Sequence, residues 1–187
     1  VKEIGAGALA TNYLADGSNY KIYLIESENP DRYDSETRLS AITVDAQNPY
    51  FTAKDGVLYN KDMTEIVAVP DGKTGVFTIP NTVKTIKSMS IYGCTTITEV
   101  VIPEGVEEIE DYGLNRTGIE TLTIPASLKK IGVNAFAENV KLKTIQFPES
   151  MTEIPVGAFY NARALESLVI PETITTIGSG AFAGCFS

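Results

Sequence analysis

The chain has two cysteines, two acidic clusters and no histidine among its 187 residues, which sets narrow limits on its chemistry. Histidine is the side chain that titrates near neutral pH and the commonest zinc ligand, so its absence excludes Ser-His-Asp and Cys-His catalysis together. Glu104, Glu107, Glu108, Glu110 and Asp111 crowd one short stretch. That density raises the question of a divalent cation, but blocks of like charge are usually solvated faces. Glu26, Glu28, Asp31, Asp34 and Glu36 pose the same question for calcium and lack the spacing of an EF-hand loop. Gly178-Ser179-Gly180 and Gly5-Ala6-Gly7 are too short to cradle a phosphate and read as turns. Asn115-Arg116-Thr117 fits the N-glycosylation pattern, a triplet that arises readily by chance. The expectation is a protein that is not an enzyme and uses no metal or cofactor.

The elements that carry these groups recur. Ile79-Pro80, Ile102-Pro103, Ile124-Pro125, Phe147-Pro148 and Ile170-Pro171 follow one another every 22 or 23 residues, a period that marks a solenoid. Counted from each proline, the third residue is Val83, Val106, Leu128, Met151 or Ile174. The sixth is Ile86, Ile109, Ile131, Ile154 or Ile177. The tenth and eleventh pair a small residue with a large one, ending in Ala135-Phe136, Ala158-Phe159 and Ala181-Phe182, as a crowded coil interior requires. Ile97, Ile119, Leu142 and Leu165, then Val100, Leu122, Ile145 and Leu168, lead back to the next proline. Cys94 and Cys185 occupy the same coil position four turns apart, so at about 4.8 Å per coil they lie roughly 19 Å from each other. A disulfide spans no more than about 7 Å between Cα atoms, and the two are expected to be separate thiols that pack.

Each coil therefore reads Leu-x-x-Ile-x-Ile-Pro-x-x-Val-x-x-Ile-x-x-x-Ala-Phe. Its Leu-x-x-Leu-x-Leu portion is the strand of a leucine-rich repeat, and Pro171 to Cys185 carries nearly all of the pattern Ile-Pro-x-x-Val-x-x-Ile-Gly-x-x-Ala-Phe-x-x-Cys. This resembles the BspA-like class of bacterial surface-antigen leucine-rich repeats. Charge supports the same register. The columns Lys84, Glu107, Lys129, then Thr85, Glu108, Lys130, Glu153, then Thr98, Glu120, Lys143, Glu166 alternate in sign from coil to coil, which side-by-side stacking requires.

The expected fold is one domain over residues 1–187: a parallel-stranded, curved leucine-rich-repeat solenoid of about six coils, mostly β and irregular turns. Residues 80–187 form the regular repeats. Residues 1–45 form an N-terminal coil whose strand is Leu39 to Val44, interrupted by an insert at about 12–38. Residues 45–80 form a coil elaborated by a β-hairpin, because Asp55-Gly56 between alternating segments signals a tight reversal. A second reversal near Asn60 to Thr64 precedes a strand over Glu65 to Val69. The chain opens mid-repeat and ends partway through a coil, so a longer array is expected.

The 24 acidic and 15 basic residues give a net charge of -9, against nucleic acid or an anionic membrane as partner. No apolar run approaches a membrane span. The concave positions Ala41, Thr43, Val76, Thr78, Glu99, Val101, Thr121, Thr123, Thr144, Gln146, Ser167 and Val169 are small and rich in hydroxyls. They lack the paired carboxylates of a glycosidase, and no tryptophan is present to stack on a sugar. The resemblance implies a non-catalytic extracellular module on a bacterial cell surface that binds or adheres to host or neighbouring-cell surface or matrix protein. The alternative is a structural spacer. Glu99, Thr121, Thr123, Thr144 and Gln146 are the candidate binding residues, with Tyr20, Tyr23 and Tyr33 of the insert adding contact area at little entropic cost.

Overall fold

A computed structural model describes residues 39–185; the insert at 12–38 and its tyrosines lie outside them. These residues form a parallel β-solenoid of about five turns, and none of them is helical. The strands in chain order are β1 (Phe51–Lys54), β2 (Val57–Asn60), β3 (Glu65–Ala68), β4 (Gly75–Thr78), β5 (Thr85–Ile86), β6 (Ile97–Val101), β7 (Glu108–Ile109), β8 (Thr121–Thr123), β9 (Lys130–Ile131), β10 (Thr144–Gln146), β11 (Glu153–Ile154) and β12 (Thr176–Ile177).

The hairpin forms where its turn chemistry places it. β1 pairs antiparallel with β2, Lys54 opposite Val57, and both loop residues take positive φ, Asp55 at 52° and Gly56 at 78°. That is the tight turn whose twist matches the flanking strands. Asn60 makes the second reversal, its Oδ1 accepting from the amides of Thr64 at 2.8 Å and Glu65 at 3.0 Å. β3 then runs antiparallel to β2 and parallel to β5. The elaborated turn thus joins the solenoid as the first strands of a six-stranded sheet, ordered β1-β2-β3-β5-β7-β9. The expected strand over Leu39 to Val44 is not formed: those residues carry no regular strand. Gly56 draws the segment onto the hairpin instead, accepting a 2.8 Å hydrogen bond from the Ile42 amide, with no room for a Cβ against Ala41.

The aliphatic columns form the core. Val83, Ile86, Val106, Ile109, Ile91, Leu114, Phe136 and Phe159 are fully buried, and in the aromatic column Phe159 stacks between Phe136 and Phe182, ring centroids 5.5 Å apart on both sides. On the turn side of each coil, buried-column amides donate to the following coil: Ile91 to Gly113, Leu114 to Ala135, Phe136 to Ala158 and Phe159 to Ala181, at 2.8 to 3.0 Å. Backbone at two recurring positions adopts positive φ, Met89, Tyr112, Asn134, Gly157 and Gly180 at the first, Gly93, Arg116, Glu138, Asn161 and Gly184 at the second. These two left-handed residues reverse the chain, which explains how turns replace a helix here.

The face strands depart from the expected continuous ladder. β4 pairs with β6 and β8 with β10, but β6 and β8 are not joined in one sheet. The coil between Ile102 and Ile124 is the 22-residue one, and its missing residue falls before β8, where Gly118 alone stands for the pairs Thr95-Thr96 and Val140-Lys141. Gly118 lies so close to the previous coil that an added Cβ would sit 2.2 Å from the Thr95 carbonyl oxygen. The shortened connection shifts the strand that follows it. Residues 167–169 also form no regular strand.

Phe136→Ala removes a fully buried ring from the middle of the stack, and a cost of about 3–5 kcal/mol is expected. Thermal unfolding followed by circular dichroism should show a sharply lowered or divided transition, because repeats interact only with their neighbours. An unchanged curve would contradict the stack.

Candidate functional site

The first ladder presents one side-chain row to the core and its neighbours to solvent, as strand alternation dictates. Phe77, Val100, Leu122 and Ile145 point inward and are buried. Glu99, Thr121, Thr123, Thr144 and Gln146 are exposed. The structure brings four of these five together: Thr144 lies beside Thr121 and Gln146 beside Thr123 in register, and Thr123 Oγ1 is 3.3 Å from Gln146 Oε1. Glu99 sits on β6 across the break, opposite Val76 of β4. Three aliphatic residues share this surface, Val101, Val76 at 58% exposure and Val169 at 81%. Tyr20, Tyr23 and Tyr33 lie outside the described residues.

The acidic cluster is spent on coil-to-coil contacts. Glu107 pairs with Lys129 at 2.7 Å, Glu108 with Lys130, and Glu110 with Lys87 at 2.6 Å. Glu104 accepts from the amides of Ala126 and Ser127, and Asp111 accepts from the Val133 amide at 2.8 Å. Lys143 and Glu120 repeat the pattern on the other ladder at 2.7 Å. The bonded lysines hold Glu107 and Glu120 below the usual glutamate range, and Glu108 raises Lys130 above its ordinary value. One column falls short of expectation. Lys130 pairs with Glu108 but Glu153 is not its neighbour, because β9 and β11 belong to different sheets.

That separation opens a cleft of about 290 Å³ between the two coils, with Leu128, Ile131, Met151 and Pro155 among its walls. The sequence carried the signal, a proline where the other coils have Lys87, Glu110, Gly132 or Gly178, and pattern reading built on the aliphatic columns passed over it.

Polar groups in the interior were also missed. Asn139 is fully buried. Its Oδ1 accepts from the amide and hydroxyl of Thr117, both at 2.7 Å, while Nδ2 donates to the carbonyls of Leu114 and Phe136. Every capacity of the amide is used, so the bridge avoids the cost of an unsatisfied buried polar group. Asn115 and Thr117 of the glycosylation triplet are buried too, which closes that site to a transferase in the folded chain. Cys94 is buried and Cys185 half-buried, and they are not joined in a disulfide. Burial raises the Cys185 pKa above its ordinary value, partly countered by a backbone hydrogen bond, so neither thiol has the electropositive, exposed setting of a reactive cysteine.

Comparison with known proteins gives the same architecture. A family model described as the BspA type leucine rich repeat region matches residues 73–187 in six copies. A leucine-rich repeat protein from Bacteroides ovatus is 23% identical with a TM-score of 0.51, over 72% of this chain and 41% of that one. A leucine-rich repeat protein from T. pallidum is 18% identical with a TM-score of 0.50, over 78% and 90%. At those identities the likeness shows the fold alone. A leucine-rich repeat protein from Eubacterium ventriosum is 28% identical with a TM-score of 0.49, over 78% of this chain and 52% of its own length. A search of curated proteins finds no match. The chain spans about half of the Eubacterium protein and less of the Bacteroides one.

Native protein treated with a small alkylating reagent should label Cys94 hardly at all and Cys185 slowly, and unfolding without reductant should release two free thiols. An intrachain disulfide in the mass spectrum would contradict the coil register. Lys130→Glu should lower the melting temperature at low salt by replacing an ion pair with acid beside acid, and the deficit should shrink as salt screens exposed charge. Equal melting temperatures at every ionic strength would show that Lys130 and Glu108 do not stack.

Proposed function

The chain belongs to the BspA-type leucine-rich repeat family, and on that premise we propose that it is a non-catalytic protein-binding module of a bacterial cell surface, adhering to a host or neighbouring-cell surface or matrix protein. The observation that carries this reading is the exposed face of the first ladder. Thr121, Thr123, Thr144 and Gln146 form a registered polar patch, flanked by Val76 and Val101, which are exposed although they belong to regular strands. Solvent-exposed aliphatics grouped on one face favour an interaction surface. Hydroxyl and amide groups around them supply adaptable hydrogen bonds, and Glu99 is the one charged residue of the five candidates. Catalysis has little support among the five candidate residues of this face: Glu99 is the one carboxylate among them, and a lone acid does not make the acid-base pair of a hydrolase.

Tyr20, Tyr23 and Tyr33 are proposed as an adjoining contact, on the chemistry of tyrosine at interfaces. A spacer with no ligand is the second reading, favoured by the preference of threonine and valine for strands whatever their role.

Thr121→Lys with Thr144→Lys places two long cations in the middle of the polar patch. Both positions are exposed, so the melting temperature should stay within a few degrees of the parent. Capture of surface and matrix proteins by the immobilised double variant should fall to background if the face binds. Full capture by a folded double variant would remove this face from the site, and failure of the parent to capture any such protein would favour the spacer.

A further inference from the structure

The second ladder, built from β3, β5, β7, β9, β11 and β12, follows a rule that one coil breaks. The residue after each column isoleucine donates its amide to the preceding coil: Lys87 to Ile66 O at 3.1 Å, Glu110 to Ile86 O at 2.9 Å, Gly132 to Ile109 O at 2.8 Å and Gly178 to Ile154 O at 2.7 Å. The remaining coil has Pro155 in this position, and proline has no amide hydrogen.

The neighbouring bonds are missing with it. Glu107 and Glu108 both donate to Lys84 O, Lys129 and Lys130 both donate to Glu107 O, and Thr175 and Thr176 both donate to Thr152 O. The equivalent amides of Thr152 and Glu153 make no such bond to Lys129 O, and among the described residues the carbonyls of Lys129 and Ile131 accept none. Elsewhere the same two coils stay joined, Asn134 donating to Val156 O, Phe136 to Ala158 O and Ser150 Oγ to Ala126 O. The result is a local parting of the ladder rather than an end of the solenoid.

Two strand edges therefore border one cleft, acceptors on the β9 side and donors on the β11 side, over a floor that includes Leu128, Ile131 and Met151. Unpaired strand edges attract another strand. We propose that this cleft is a second binding site, separate from the face of the first ladder, and that it takes an extended peptide segment as an added strand. The peptide main chain donates to Lys129 O and Ile131 O along β9, and an aliphatic side chain enters the isoleucine column beside Ile131. Main-chain bonds of this kind give affinity while the side-chain pocket gives selectivity.

The column chemistry names the segment further. Lys129 and Lys130 are already paired with Glu107 and Glu108, and Glu153 stands in register with Thr176 on its other side. The matching segment is an uncharged run of hydroxyl and β-branched residues, of the type Thr-Thr-Ile. A cleft of about 290 Å³ lies at the lower limit of ligand pockets, which run from about 300 to 1,000 Å³, so it accepts a few residues of a strand and not a folded surface.

The test is an NMR titration with a capped peptide carrying the sequence of residues 173–178, and a control in which both isoleucines are aspartate. Shifts should map to residues 128–131 and 150–155, and the control should produce none. Pro155→Gly restores the amide that Gly132 and Gly178 supply in their coils, closing the ladder. It should raise the melting temperature and weaken peptide binding by about tenfold or more, the worth of one to two hydrogen bonds. Pro155→Ala supplies the same amide and provides the second variant should the first lose its fold. The proposal is overturned if the parent shows no shifts at millimolar peptide, or if folded Pro155→Gly or Pro155→Ala binds as the parent does. Shifts at Thr121, Thr123 and Thr144 would equally overturn it, since they would place the peptide on the first ladder and leave the proposed function of that face standing.

Discussion

Coil-to-coil backbone hydrogen bonding is the constraint on which this structure depends. A single 22- or 23-residue turn cannot bury its own aliphatic residues, so each coil needs a neighbour on both sides. The bonds run both ways. Turn-side amides such as Leu114 and Phe136 donate to the following coil, whereas second-ladder amides such as Glu110 and Gly132 donate to the preceding one. Away from Pro155, interior coils are held from both directions at once, and register follows: once one bond of each kind forms, the columns of neighbouring coils are aligned.

Register then assigns a task to side chains that would otherwise look like candidates for chemistry. The acidic coil around Glu107 is matched by lysines and amides of its neighbours, and Asn139 satisfies the polar groups that stacking buries beside Thr117. Exposed ion pairs of this kind are weak singly. Their larger effect is on alignment, because a slipped coil would set like charges together. The exposed side chains of the first ladder carry fewer such contacts: Thr123 bonds to Gln146 of the next coil, while Val76 and Val101 point to solvent.

Much of this was readable in advance because repetition averages over local ambiguity. Four copies of Ile-Pro with Phe147-Pro148 between them, one column of Ile86 to Ile177 and one of Ile91 to Phe182 fix the architecture, and Asp55-Gly56 fixes the hairpin by its need for positive φ. What escaped reading lies where single residues break the average. Gly118 replaces two residues, so β8 leaves the sheet of β6. Pro155 keeps the hydrophobic pattern intact while removing one hydrogen, so the ladder parts where the columns look continuous. Ile42 and Val44 alternate like a strand, yet they pack against the hairpin core of Phe51, Leu58 and Ala68. The buried bridge of Asn139 escaped as well, because its four bonds run to Thr117, Leu114 and Phe136, which no local pattern reveals. The exposure of the five face residues was legible from strand alternation alone.

Residue-resolved native-state hydrogen exchange tests the central claim most directly. If paired coil edges hold the solenoid, the amides of Ile91, Leu114, Phe136 and Phe159 and those of Lys87, Glu110, Gly132 and Gly178 should be the slowest to exchange, with Thr152 and Glu153 exchanging near the unprotected rate between them. Rapid exchange at Leu114, Phe136, Glu110 and Gly132, or protection at Thr152 and Glu153 equal to that of Thr175 and Thr176, would contradict it.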